Sequence, residues 1–207
     1  ENPADINLTP QINQEKPDSS IKLYSKSCCL IDADSGRILY SKDADTPLPM
    51  ASTTKIMTCI LALELGDLDS VVNVSSYAAS MPDVQLNIRE GEQYILKDLL
   101  YSLMLESHND TAVAIAEHIG GSKEGFAQLM NNKASELGLS STHFVTPNGL
   151  DAEGHYTTAR ELCLITAYAI NNPEFLKIIS TDSYSFTDVS KKRSFSVYNH
   201  DSFLKMY

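Results

Sequence analysis

The strongest constraint on the fold of this chain is an apolar segment at residues 52–65. Apolar side chains surround it on nearly every side: Ile56, Met57, Cys59, Ile60, Leu61, Ala62, Leu63 and Leu65. A helix that is apolar nearly all round has no face to offer water, so it must be buried. Gly66 stands where such a helix should end, since glycine is favoured after the last turn. The sequence therefore predicts one buried helix around which other elements pack.

Strand-like segments lie on either side of a helical middle. Residues 28–33 and 37–41, joined by the turn sequence Asp34-Ser35-Gly36, predict a β-hairpin. A short strand is predicted at 71–74, and the alternating tail at 184–197 favours strands. This order predicts an α+β fold in which a helical layer is inserted between parts of one antiparallel sheet.

Four further helices are predicted from apolar spacing, at about 95–105, 110–119, 123–137 and 158–170. Thr158 and Glu161 match a capping box at the start of the last one. Asn171-Asn172-Pro173 is expected to break that helix. Residues 1–20 are polar and contain three prolines, so a flexible leader is predicted there, followed by one domain at 21–207.

Charge and composition exclude several functions. The 207 residues include 16 Lys and Arg against 27 Asp and Glu, a net charge of −11. A chain this acidic repels nucleic acid and anionic membrane surfaces, so neither is expected as a partner. No apolar run of about 18 residues could span a bilayer. The four cysteines and five histidines lack metal-binding spacing, and the cysteines are expected to be buried free thiols.

Ser52-Thr53-Thr54-Lys55 is the first sequence that could carry chemistry. Ser52 and Lys55 are three residues apart, so they share one face of the predicted helix. A serine hydroxyl needs a base beside it to act as a nucleophile, and burial lowers the pKa of a lysine so that it can accept a proton. The alternative interpretation is that Ser52 caps the helix and that the Lys55 side chain reaches solvent.

Ser107-His108-Asn109 lies on the short link between two predicted helices. In the functional interpretation, Ser107 relays a proton at the edge of a cleft, and the amide of Asn109 binds substrate. In the alternative interpretation, Asn109 or Asp110 caps the next helix.

The two motifs and their flanking sequences resemble the serine D-alanyl-D-alanine carboxypeptidases, low-molecular-mass penicillin-binding proteins of peptidase family S11. The stretches that carry the resemblance are LIDADSGRILYSKDAD, PMASTTKIMT, LKDLLYSLMLESHNDTAVAIAEHIGGS, THFVTPNGLDAEGHYTTARELCLI and NHDSFLKMY. The resemblance implies a β-lactamase/transpeptidase-like fold, with an antiparallel sheet and a helical subdomain. It also implies an extracytoplasmic location.

The resemblance implies a role for each matched residue. Ser52 would attack the bond between the two D-alanines that end a peptidoglycan stem peptide, and Lys55 would take its proton. Ser107 would relay a proton to the leaving amine, while Asn109 would hold the substrate's amide. β-Lactam antibiotics would acylate Ser52, and no metal or organic cofactor is implied. His155 would lie near the cleft, with a structural role favoured over a direct one.

The chain departs from the family in one motif, because it contains neither Lys-Thr-Gly nor Lys-Ser-Gly. The expectation is that 1–207 is a fragment that lacks the strand with this motif and the C-terminal segment through which the family attaches to membranes. Such a fragment is expected to be inactive alone. Three other functions stay open: a class A-like β-lactamase, for which Glu161 would be a poor water-activating residue, a transpeptidase, and a non-catalytic module that binds cell-wall peptides.

Overall fold

The computed structural model describes residues 23–201 and residue 204. The predicted leader at 1–20 lies outside this part. Seven helices are described: α1 (Lys55–Leu65), α2 (Ser76–Ala79), α3 (Leu96–Glu106), α4 (Asn109–Gly120), α5 (Lys123–Glu136), α6 (Ala159–Ala169) and α7 (Pro173–Ile179). Six strands accompany them: β1 (Cys28–Ile31), β2 (Ile38–Lys42), β3 (Val71–Asn73), β4 (Gln93–Ile95), β5 (Ser183–Thr187) and β6 (Ser194–Tyr198).

Helix α1 occupies the centre of the fold, as its apolar sequence predicts. It packs against α3, α4, α5, α6 and α7, and Met57, Cys59, Leu61 and Ala62 are almost completely buried. Gly66 ends it. A β-carbon at Gly66 would lie 2.6 Å from Leu96 Cδ2 and 2.8 Å from Ile119 Cδ1, so glycine also lets α3 and α4 approach the end of α1.

The strands of the described residues form three separate two-stranded antiparallel sheets, β1–β2, β3–β4 and β5–β6. The predicted hairpin and the predicted strands of the tail are confirmed, and the fold class is α+β. The expected single sheet is not seen among these residues, because the three pairs lie at different places around the helices: β1 contacts α6, β3 contacts α4, and β5 and β6 contact α3.

Helix α7 begins at Pro173, where the sequence predicted only the end of the preceding helix. Asn172 Oδ1 accepts hydrogen bonds from the backbone N–H groups of Glu174 at 2.9 Å and Phe175 at 3.3 Å, and Pro173 is the first helical residue. Proline lacks only an N–H that a first turn cannot use, and its fixed φ suits a helix. The sequence Asn171-Asn172-Pro173 therefore follows the end of α6 and also starts α7.

The cysteines are only partly as expected. All four are free, but Cys59 alone among them is fully buried, while Cys28, Cys29 and Cys163 are half-buried. Within the described ranges, no group of three Asp, Glu, His or Cys side chains could hold a metal ion. No helix there is long and apolar enough to span a bilayer.

Candidate active site

Ser52 lies on a 3₁₀ turn, Ala51–Thr54, that precedes α1. The α-helix was expected to begin at Ser52 but begins at Lys55. Ala51 has a positive φ of 47°, outside the right-handed helical region, and Ala51–Thr54 forms a tighter turn before α1. Ser52 is exposed and caps neither element. The alternative interpretation of Ser52 as an N-cap is therefore wrong.

Lys55 points into the protein and donates three hydrogen bonds. Its Nζ lies 3.0 Å from Ser52 Oγ, 2.9 Å from Asn109 Oδ1 and 2.7 Å from the carbonyl oxygen of Asn148. The residue is 2% exposed, so the alternative in which its side chain reaches solvent is also wrong. The Lys55 nitrogen atom thus contacts the first motif through Ser52 and the second motif through Asn109. Through Asn148 it also contacts residues 140–156, a loop between α5 and α6.

Burial lowers the pKa of Lys55 from 10.5 to about 8. The three acceptors are uncharged oxygens, and no carboxylate of the described residues forms an ion pair with this ammonium group. An ammonium group that loses water without gaining a counter-charge is destabilised relative to the neutral amine. Lys55 is therefore suited to accept a proton from Ser52 near neutral pH.

The second motif bends the chain between α3 and α4. Ser107 ends α3 with a positive φ of 63°, and α4 begins at Asn109. Asn109 does not cap α4: its Oδ1 accepts from Lys55, and its Nδ2 donates to the carbonyls of Pro82 at 3.2 Å and Asp83 at 3.0 Å. Among the contacts of the described residues, the Ser107 hydroxyl has no hydrogen bond with Ser52 or Lys55.

Asp110 anchors one wall of the site, a role that the sequence analysis missed. Its carboxylate is buried and accepts the backbone N–H groups of Leu86 at 3.0 Å and Ile88 at 3.1 Å. Residues 82–88 are thus held against α4 by Asp110 and by the contacts of Asn109. The sequence places Asp110 beside a motif but contains no sign of the partners, which lie more than twenty residues earlier.

The loop at 140–156 supports the turn that carries Ser52. Thr58 donates a 2.6 Å hydrogen bond to the Pro147 carbonyl, and Gly149 has a positive φ of 85°. A β-carbon on Gly149 would overlap the carbonyl group of Ala51. Pro147-Asn148-Gly149 is a turn sequence, which predicts a loop but none of its contacts; Asn148 contacts Lys55, and Gly149 contacts the turn Ala51–Thr54.

His155 also contacts the first motif. Its Nε2 lies 2.8 Å from Thr54 Oγ1, and its Nδ1 accepts the Val145 backbone N–H at 2.9 Å. Burial lowers its pKa, which favours the neutral imidazole. His155 has no direct hydrogen bond to Ser52 or Lys55 among the described residues, so its contacts fit the structural role expected for it.

The chain is similar to D-alanyl-D-alanine carboxypeptidases in both sequence and fold. Residues 11–207 match the family described as D-alanyl-D-alanine carboxypeptidase, peptidase family S11. The chain is 36% identical to the D-alanyl-D-alanine carboxypeptidase DacF of Bacillus subtilis over 93% of its own length and 50% of that protein. It is 33% identical to DacB2 of Mycobacterium tuberculosis over 99% of its own length and 68% of that protein. The chain thus spans half of the Bacillus relative.

Solved structures show the same fold. The crystal structure of a D-alanyl-D-alanine carboxypeptidase from Mycobacterium tuberculosis superposes with a TM-score of 0.83 at 31% identity, covering 92% of this chain and 73% of that one. A mutant of the Streptomyces K15 DD-transpeptidase superposes with a TM-score of 0.81 at 29% identity, covering 90% of this chain and 78% of that one. The fold is therefore of the penicillin-binding, transpeptidase-like type.

Proposed function

Because the chain belongs to the D-alanyl-D-alanine carboxypeptidase family, we propose that it removes the terminal D-alanine of peptidoglycan stem peptides through an acyl-enzyme on Ser52. The observation that carries this proposal is the 3.0 Å hydrogen bond between Lys55 Nζ and Ser52 Oγ, made by a lysine with a depressed pKa. A nucleophile paired with a buried base is what acyl transfer requires.

The neutral amine of Lys55 accepts the Ser52 proton as Oγ bonds to the carbonyl carbon between the two D-alanines. The tetrahedral intermediate then collapses, the C–N bond breaks, and D-alanine leaves as an amine. Ser107 is proposed to pass that amine its proton, together with Lys55. Water then attacks the ester and releases the shortened peptide.

Asn109 is proposed to bind the peptide amide of the substrate. Its Nδ2 donates to the carbonyls of Pro82 and Asp83, so a substrate carbonyl has to replace one of these acceptors. β-Lactams are proposed to acylate Ser52 by the same attack. The proposed site of action is outside the cytoplasm, where stem peptides occur.

A transpeptidase is the second candidate, favoured by the superposition on the Streptomyces DD-transpeptidase. It differs only in the acceptor of the acyl group, an amine in place of water.

A class A-like β-lactamase is less well supported, because the Glu161 carboxylate accepts hydrogen bonds from Ser141 N at 2.9 Å and Thr142 Oγ1 at 2.5 Å and none from Ser52. A module that only binds cell-wall peptides needs no nucleophile paired with a base, so the hydrogen bond between Lys55 and Ser52 does not favour it.

The proposal is tested by labelling with fluorescent penicillin, with the mass of the intact protein as a second reading. Ser52→Ala should abolish the label, while Ser180→Ala, a serine at the end of α7, should keep it. Because the family's third motif is not among these 207 residues, the assay is run on this chain and on one extended to include Lys-Thr-Gly. A label that survives Ser52→Ala, or none at either length, contradicts the proposal. Release of D-alanine or of a cross-linked product then separates hydrolysis from transpeptidation.

A further inference from the structure

A chain of three hydrogen bonds leads from the loop at 140–156 to the peptide that precedes Ser52. The Val145 N–H donates to His155 Nδ1 at 2.9 Å, so the ring's hydrogen lies on Nε2. Nε2–H then donates to Thr54 Oγ1 at 2.8 Å. Since a hydroxyl has one hydrogen, Thr54 uses its own to donate to the Ala51 carbonyl at 2.7 Å. Each donor along this chain has one acceptor, so its direction is fixed.

The peptide between Ala51 and Ser52 needs such support. Ala51 has a positive φ of 47°, a conformation that costs free energy for a residue with a β-carbon and persists only when the surroundings hold it. Thr54 binds the Ala51 carbonyl from within the turn. Gly149 packs against the same carbonyl so closely that a β-carbon there would overlap it. The peptide is therefore held by two neighbours, one of which is oriented by His155.

The other end of that peptide carries the N–H of Ser52. The N–H of Ser52 belongs to the same planar unit as the Ala51 carbonyl, and in a trans peptide the two point in opposite directions. An N–H beside the nucleophile can stabilise the oxyanion that forms when Oγ attacks, provided that it is already oriented. A rotation of this peptide would move both the N–H and the Ser52 side chain.

We propose that His155 is a positioning residue for the nucleophile, which it orients through Thr54 and the Ala51 carbonyl. This inference rests on the proposed function of Ser52. His155 does not touch the substrate or take a proton in the reaction. Its part is to keep the Thr54 hydroxyl directed at Ala51, so that the turn Ala51–Thr54 presents Ser52 in one orientation.

The first test is the rate of acylation by fluorescent penicillin, measured over a range of penicillin concentrations. His155→Ala and Thr54→Val should lower the acylation rate constant by about 10²-fold, the effect of a misplacement of about 1 Å, with little change in the non-covalent binding of penicillin. His155→Gln, which keeps an N–H donor for Thr54, and Thr54→Ser, which keeps the hydroxyl, should stay within about threefold of wild type. The double variant His155→Ala/Thr54→Val should be no slower than either single variant, because both break one chain.

Two remote variants control for loss of a histidine or a threonine. Thr166→Val removes a hydroxyl that donates to Leu162 on α6, and His118→Ala removes a ring that contacts Ser70. Both should acylate at the wild-type rate. Wild-type rates in His155→Ala and Thr54→Val would overturn the inference while leaving the role of Ser52 intact.

The second test does not depend on activity. The ¹⁵N shifts of the His155 ring should show hydrogen on Nε2, and the amide resonance of Ser52 should move in His155→Ala but not in His155→Gln. Hydrogen on Nδ1, or an unchanged Ser52 resonance in His155→Ala, overturns the inference. If the wild-type protein is not labelled by penicillin, the proposed function fails, and the resonances still decide whether His155 positions the turn.

Discussion

Lys55 Nζ lies 3.0 Å from Ser52 Oγ, and its two other hydrogen bonds go to uncharged oxygens of Asn109 and Asn148. Lys133 shows the contrasting arrangement. Burial opposes its charge too, but hydrogen bonds with Glu64 and Glu136 outweigh that effect and raise its pKa. Lys55 forms no ion pair with a carboxylate of the described residues, and this difference explains why burial lowers its pKa while the pKa of Lys133 rises.

Acylation by penicillin should become faster as the pH rises through the pKa of Lys55. The neutral amine is the active base, and with a pKa of about 8 roughly one tenth of it is neutral at pH 7 and nine tenths at pH 9. The expected gain in the acylation rate constant is about tenfold over this range. Stopped-flow or gel-based labelling at several pH values measures it. A rate constant that is flat or falls between these values would mean that Lys55 is not the base.

Lys55→Met should lower the acylation rate constant by about 10²–10⁴-fold, the usual contribution of a general base. The unbranched methionine fills much of the same space. Lys133→Met is the matched control, since it removes another largely buried lysine whose partners are Glu64 and Glu136. The control should be labelled at the wild-type rate even if its melting temperature falls. Equal loss of labelling in both variants would point to unfolding rather than to chemistry.

Gly149→Ala should destabilise the fold and slow acylation together. Its φ of +85° disfavours a side chain, and the added β-carbon would overlap the Ala51 carbonyl group. Gly121 has a similar φ of +72°, but nothing lies within 4 Å of a β-carbon there. Gly121→Ala should cost about 1 kcal/mol of unfolding free energy, and Gly149→Ala about 2–3 kcal/mol more, as in other overpacked sites. Chemical denaturation compares the two, and similar losses would show that φ alone matters.

Asp110→Asn should weaken the attachment of residues 82–88 to α4. One carboxylate oxygen becomes an amide that cannot accept the N–H of Leu86 or Ile88, which costs about 1–3 kcal/mol for a buried unpaired donor. Hydrogen exchange at Leu86 and Ile88 should accelerate. Asp32→Asn is the control, because Asp32 accepts hydrogen bonds from Ser35 in an exposed turn, and it should not accelerate exchange at Leu86 and Ile88. Unchanged exchange at 82–88 in Asp110→Asn would rule out this anchoring role.

Glu161→Gln should leave the lifetime of the penicillin adduct unchanged. The Glu161 carboxylate holds Ser141 and Thr142, so the substitution is expected to lower stability by about 1–2 kcal/mol through the lost charged acceptor. A β-lactamase would instead need a carboxylate to activate water for release of the adduct. Mass spectrometry over time follows the adduct, and a much longer lifetime in Glu161→Gln would favour the lactamase.

Local patterns predicted most elements of the described chain. The hairpin, the central helix, the helices α3 to α6 and the strands of the tail follow from apolar spacing and turn residues, which act between neighbours in sequence. Helix α7 was missed because Asn172-Pro173 serves equally as a stop and as a start. Residues 52–54 were predicted as α-helix but belong to the 3₁₀ turn Ala51–Thr54, since the sequence does not indicate the positive φ at Ala51.

The sequence by itself determined the elements, the central burial of α1, and the identities of Ser52, Lys55, Ser107 and Asn109 as candidate site residues. Only the tertiary structure decided what surrounds them. Burial lowers the pKa of Lys55, and its hydrogen-bond partners Asn109 and Asn148 lie 54 and 93 residues away in sequence. His155 reaches Thr54 across 101 residues. Desolvation and hydrogen bonding depend on distances in space, and no pattern between sequence neighbours records distances between residues so far apart along the chain.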